Sequence, residues 1–190
     1  MSTRLFSFNG GNTGSWRVTA MKSIVGEALP AIKRLSIGDG SQVSDQDTVW
    51  NLRGITSNER YVDRNERTQI VDKQLALGRS DATCAALIPI RKNDAWWALT
   101  QDERLKIFKQ QSQHTQIGLQ TFPELARRLH HCRDLSEHEP FDFITWFEYS
   151  PQHEALFDQL LAALRATPEW QYVNREMDIR LVRNHTCSNS

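Results

Sequence analysis

The stretch FDFITWFEYSPQHEALFDQLLAALRAT, residues 141–167, constrains the fold more than any other part of this 190-residue chain. Its first part, FDFITWFEY, is rich in aromatic and β-branched residues, as a strand packed on a sheet face is. The rest carries apolar residues at 155, 156, 160, 161 and 164, the period of a helix with one buried face. A strand that runs directly into an amphipathic helix shares a core with it, so the chain is expected to layer helices on a sheet.

The surrounding pattern extends that arrangement. CAALIPIRK reads as an apolar strand. DAWWALTQDERLKIFKQQSQHT follows as an amphipathic helix, with Thr100 as N-cap and Asp102 and Glu103 in the first turn. TFPELARRLHH is expected to be a second helix, its Pro123 tolerated in the first turn. WQYVNRE and DIRLVR read as two short closing strands. From about residue 82 the predicted order is therefore strand, two helices, strand, helix, strand, strand. This is an α+β arrangement of ferredoxin-like character, with helices on one face of an antiparallel sheet. Upstream, LFSFNGG, WRVTAMKSIVG and TVWNLRGITS read as strands, residues 38–46 as an exposed loop and 63–77 as a short helix. No internal repeat is evident in the residues themselves.

Charge excludes several classes of partner. The 23 basic and 23 acidic residues are spread along the chain without a block of one sign, which argues against nucleic acid or an anionic membrane surface. No apolar run is long enough for a transmembrane helix. The start, MSTRLFSFNGGNTGSW, has no basic segment followed by an apolar one, so a cytoplasmic protein is expected. Cys84, Cys132 and Cys187 have no CxxC spacing and read as free thiols. With no CxxCH, any haem would be held without thioether links.

SQHTQIGLQTFPELARRLHHCR, residues 112–133, gathers three histidines and three arginines. Taken singly, His114 is an ordinary hydrogen-bonded histidine, Arg127 and Arg128 are a solvated pair, and His130 and His131 are helix residues. No HExxH or histidine cluster points to a multi-histidine metal site. In combination these residues say more. Trp96–Trp97, His114–Thr115, Arg127, Asp142–Phe143, Trp146–Phe147–Glu148 and Glu169, with CAALIPIRKNDAWW leading into them, resemble the chlorite dismutase family of haem proteins. The likeness is firm over about 82–183 and weaker before that.

The resemblance implies a dimeric α+β barrel of two ferredoxin-like halves, here a truncated N-terminal half over 1–80 and a haem-binding half over 81–190 in one compact unit. The chain length fits the family's short lineage, whose members are homodimers. The implied cofactor is one non-covalent haem b per subunit. The implied activity is decomposition of chlorite to chloride and dioxygen through a ferryl and hypochlorite stage, with detoxification as its role. His114 matches the iron ligand, Glu169 the carboxylate that holds its second ring nitrogen, and Lys92 a further member of that network. Arg127 matches the cation on the opposite haem face, which holds the anion. Phe147 and Ile88 would line the haem, Trp96 would pack at its edge, Asn58 and Tyr61 would meet the propionates, and Gln74 would orient Arg127. Alternatives on the same scaffold are a coprohaem decarboxylase, a non-catalytic haem-binding protein and a cofactor-free barrel. Arg127 and the chain length speak against the first.

Overall fold

Residues 4–40, 47–56, 68, 75–121 and 123–183 are described by the structure, a computed structural model. The strands among them are β1 (Leu5–Gly11), β2 (Trp16–Val25), β3 (Arg34–Asp39), β4 (Thr48–Ile55), β5 (Cys84–Lys92), β6 (Ala126–His131), β7 (Phe143–Tyr149) and β8 (Val173–Arg183). Between β5 and β6 lie α1 (Asp94–Ala98), α2 (Gln101–Leu105), a π-helical segment (Lys106–Gln111) and α3 (His114–Leu119); α4 (Glu154–Arg165) joins β7 to β8. No helix among the described residues is long and apolar enough to cross a membrane.

The strands pair antiparallel into one closed barrel, in the order β1-β3-β2-β8-β5-β7-β6-β4. Each half of the chain has the same spatial order, fourth-first-third-second: β4-β1-β3-β2 and β8-β5-β7-β6. The repeat that the residues hide is thus present in the topology. Only the second half carries helices in its crossovers among the described residues, and this places all four on one part of the barrel wall.

Alternation along the strands makes two cores. Leu87, Ile144, Trp146 and Ile179 point into the barrel with Phe8, Trp16, Leu35 and Leu52. Ala86, Ile88, Phe147 and Tyr149 point outward, where Phe157, Leu160, Leu161 and Leu164 of α4 cover them. β5 therefore reads as a continuous apolar run because both its faces are covered.

Four expectations need correction. The predicted second helix is strand β6, in register with β7 from Ala126↔Glu148 to His131↔Phe143. The two closing strands are one strand, β8, and residues 38 and 39 of the predicted loop close a strand, β3. The amphipathic segment after Thr100 is broken into α2 and a π-helical segment, although Thr100 does cap it, its N–H donating to Glu103 Oε2 at 2.8 Å. The predicted helix over 63–77, apart from Thr68 and residues 75–77, lies outside the described residues.

On β6 the neighbours Arg127 and Arg128 face opposite sides of the wall. Arg128 is not a solvated helix residue: its guanidinium lies 3.7 Å from the Phe6 ring centroid and its Nε donates to His130 Nε2 at 3.0 Å. His130 is fully buried, and its Nδ1 donates to the Ile144 carbonyl at 3.1 Å. His131 is buried too. Gly54 makes this seam possible, since a Cβ there would lie 2.6 Å from His130 Cβ.

Burial, then the Arg128 and His131 charges, hold the His130 pKa down at about 3, against an ordinary 6.5. The unfolded chain takes up this proton as pH falls through 6.5 and the folded chain does not. Stability is therefore complete above that pH and falls as pH drops toward 3, by up to about 1.4 kcal/mol per pH unit from this group. His130→Gln keeps an acceptor for Arg128 and a donor for Ile144 without the titration. Urea unfolding of the variant should show a flatter pH profile between 6.5 and the carboxylate range. An unchanged slope would rule His130 out as its source.

Candidate functional site

The end of β5, the start of α3 and the short 3-10 turn Pro168–Tyr172 meet outside the barrel wall. His114 is the first residue of α3, and Gln113 before it has a left-handed φ of 48°. A π-helical segment followed by a left-handed residue is a costly way to enter a helix, and such costs gather where a side chain must be aimed. The aim here is at Glu169: His114 Nδ1 lies 2.8 Å from its Oε2. Lys92 Nζ donates to Glu169 Oε1 at 2.7 Å, and the Glu169 N–H donates to Ser112 Oγ at 3.0 Å.

Glu169 and Lys92 are both buried, with side chains 6% and 4% exposed. Burial works against the ionised Glu169, but His114 and Lys92 outweigh it and hold the carboxyl down at about 2. Burial pushes the Lys92 pKa down, opposed by Glu169 and Asp142. The Lys92 ammonium also faces two indoles, 4.4 Å from the Trp96 ring and 5.6 Å from Trp170. Trp96 is buried beneath it and meets Tyr172 edge-on at 5.4 Å. The His114 ring is stacked on Phe108 at 4.4 Å and lies parallel to Trp170 at 6.4 Å. With Nδ1 committed to Glu169 and the plane fixed by these rings, Nε2 is the nitrogen left to bind something else.

The other side of the site is the sheet. Arg127 lies opposite Phe147 on β7, which lies opposite Ala86 on β5, so the three share the outer face. Ile88 stands two residues on from Ala86 on the same face. Arg127 and α3 are in contact range, for a Cβ at Gly118 would come within 3.1 Å of Arg127 Nη1. His114, Glu169, Lys92, Trp96, Ile88, Phe147 and Arg127 thus belong to one region, while Asn58, Tyr61 and Gln74 lie outside the described residues.

Some residues that carry the resemblance serve the frame. Asp142 Oδ2 accepts from the Lys92 N–H at 2.7 Å and from Trp97 Nε1 at 3.3 Å, tying the approach to β7 to the end of β5 and to α1. Glu148 accepts from Trp146 Nε1 at 2.9 Å and from the Gly78 N–H at 2.6 Å. The sequence reading missed Ser112, Phe108 and Trp170. The last was signalled only by standing next to Glu169.

The donor set limits what fits. Among the described residues no group of three or more His, Cys, Asp or Glu converges to hold a metal ion. Burial pushes the Cys84 and Cys132 thiols up, so neither supplies a thiolate at neutral pH. A single imidazole backed by a buried carboxylate suits a metal whose other positions a macrocycle fills, as in haem. The apolar sheet face with Phe147 and Ile88 suits the flat body of such a group.

A family model described as chlorite dismutase matches residues 27–184. The chlorite dismutase of Ideonella dechloratans is 32% identical over 133 residues, covering 66% of this chain and 42% of that protein, so the match spans under half of that relative's length. Among solved structures, the dimeric chlorite dismutase from Nitrobacter winogradskyi has a TM-score of 0.87 and 48% identity, covering 94% of this chain and 99% of that one. The chlorite dismutase from Candidatus Nitrospira defluvii in complex with imidazole has a TM-score of 0.67 at 18% identity, over 97% and 93% of the two chains, a likeness of fold.

Proposed function

The chain belongs to the chlorite dismutase family, and from that premise we propose that it binds haem b and decomposes chlorite to chloride and dioxygen. The observation that carries the proposal is the half-buried His114 held by the buried Glu169–Lys92 pair. Haem, when bound, would supply the redox-active iron at which the O–Cl bond breaks. His114 would hold that iron through Nε2. Its Nδ1–H would donate to Glu169, whose ionised state makes the imidazole more basic and fixes its tautomer.

Arg127 does not titrate in the working range, so its part is electrostatic. Its guanidinium would hold chlorite, and then the hypochlorite left after the first O–Cl cleavage, close to the iron until dioxygen forms. Phe147 and Ile88 would exclude water and offer no proton, which favours recombination over proton-assisted side reactions. Trp96 would border the haem edge, Asn58 and Tyr61 would meet the propionates, and Gln74 would orient Arg127. The repeated strand order supports two ferredoxin-like halves, the first without helices in its crossovers among the described residues. A homodimer with one haem per subunit completes the proposal.

The test is oxygen release from chlorite by haem-loaded protein, followed with an oxygen electrode. Wild type should release dioxygen. Arg127→Ala should be slower by about ten- to a hundredfold, the scale of losing one hydrogen bond to a charged group, and should bleach its haem after fewer turnovers as hypochlorite escapes. Full haem loading with no oxygen would leave a non-catalytic haem protein as the reading.

A further inference from the structure

Glu176 on β8 is fully buried. Its neighbours in alternation, Met177 and Ile179, point into the barrel, so Glu176 points outward, toward α4 and the turn Pro168–Tyr172. Arg165, the last residue of α4, donates from Nε to Glu176 Oε1 at 2.8 Å, and its Nη2 lies 2.6 Å from the same oxygen. That pairing neutralises the carboxylate and uses one oxygen. The other, Oε2, accepts from Trp170 Nε1 at 2.7 Å. Trp170 follows Glu169 in the turn, and its ring lies within 23° of parallel to His114, 6.4 Å away. Lys92 Nζ stands 5.6 Å from the same ring.

We propose that Glu176 is a positioning residue for the iron ligand: by holding the indole N–H of Trp170, it fixes the plane of the His114 ring and its alignment with Glu169. The inference rests on His114 being that ligand. The last torsion of a histidine is broad, so the plane of an imidazole is set by what packs beside it. The other ties on the turn are made by its backbone, the Glu169 N–H to Ser112 Oγ and the Tyr172 carbonyl to the Asn93 N–H at 2.7 Å. They place the turn but do not set the tilt of the Trp170 ring. The contact with Glu176 does, and Arg165 holds Glu176 in turn.

Resonance Raman spectroscopy of the ferrous, haem-loaded protein reads the iron–imidazole bond without turnover. Glu169→Gln should lower the frequency of that stretching band, because the imidazole loses its ionised partner and becomes less basic. Trp170→Phe keeps a flat ring and removes the N–H. Glu176→Gln leaves one oxygen to serve two donors, Arg165 and Trp170. Each should broaden the band and lower its frequency by part of the Glu169→Gln shift. In a Trp170→Phe background, Glu176→Gln should add nothing, since both act through one contact. A band of wild-type position and width in Trp170→Phe would overturn the proposal, whether or not Glu176→Gln folds, and a lower melting temperature with that unchanged band would make the contact structural only. An equal further shift from Glu176→Gln in the Trp170→Phe background would overturn it too. If Glu169→Gln leaves the band in place, the reading of His114 falls and this inference falls with it. If Glu169→Gln moves the band and Trp170→Phe does not, only the inference about Glu176 falls.

Discussion

His114→Ala should abolish stoichiometric haem binding and leave the haem-free protein folded. His114 is 22% exposed at its side chain and spends only one nitrogen on the protein, so its removal costs the fold little. The proposed iron, by contrast, would lose its assigned donor, and among the described residues no group of three or more His, Cys, Asp or Glu converges to replace it. Haem titration followed by absorbance should show no saturable one-to-one binding in the variant, and added imidazole should restore part of it by filling the emptied space. Unaltered affinity in His114→Ala would move the ligand elsewhere.

Glu169→Ala should destabilise the haem-free fold by about 3–5 kcal/mol, because it leaves the buried Lys92 ammonium without its carboxylate. The paired substitution Lys92→Met with Glu169→Leu should cost much less than Glu169→Ala alone, since both charges leave together. The pH dependence has a definite sign. The Glu169 carboxyl titrates at about 2 in the fold and at 4.5 ordinarily, so its contribution is complete above 4.5 and is lost as pH falls toward 2. The gap between wild type and Glu169→Ala should narrow over that window. Denaturant unfolding at several pH values measures both effects. A double variant as unstable as the single one would show that the cost lies in packing rather than in the stranded ammonium.

The parts of the fold that the sequence reveals are those in which pattern and environment agree. FDFITWFEY and the helix after it are each buried in the way their periodicity demands, and β5 is legible because it is apolar on both faces. β6 is hidden for a physical reason. ARRLHH alternates as a strand must, but its inward residues are Arg128 and His130, polar groups that satisfy one another inside the barrel. Pairing with β7 from Phe143 to Glu148 then overrides a local sequence that looks helical. β8 is hidden in the same way. Glu176 and Asp178 interrupt the apolar run, yet both are buried and neutralised, Glu176 by Arg165 at 2.6 Å and Asp178 by Arg165 at 3.2 Å and by Arg180.

For the site, spacing alone left His114 an ordinary histidine; the family resemblance singled it out, and the fold brings it to Glu169 across 55 residues of chain. No local pattern encodes that contact.

In the proposed reaction one chlorite would supply both atoms of the dioxygen, within a pocket that keeps the oxychlorine anion beside the iron. Haem-loaded wild type should therefore convert isotopically labelled chlorite, in ordinary water, into doubly labelled dioxygen. Dioxygen carrying only one labelled atom, or no dioxygen from fully loaded protein, would contradict it.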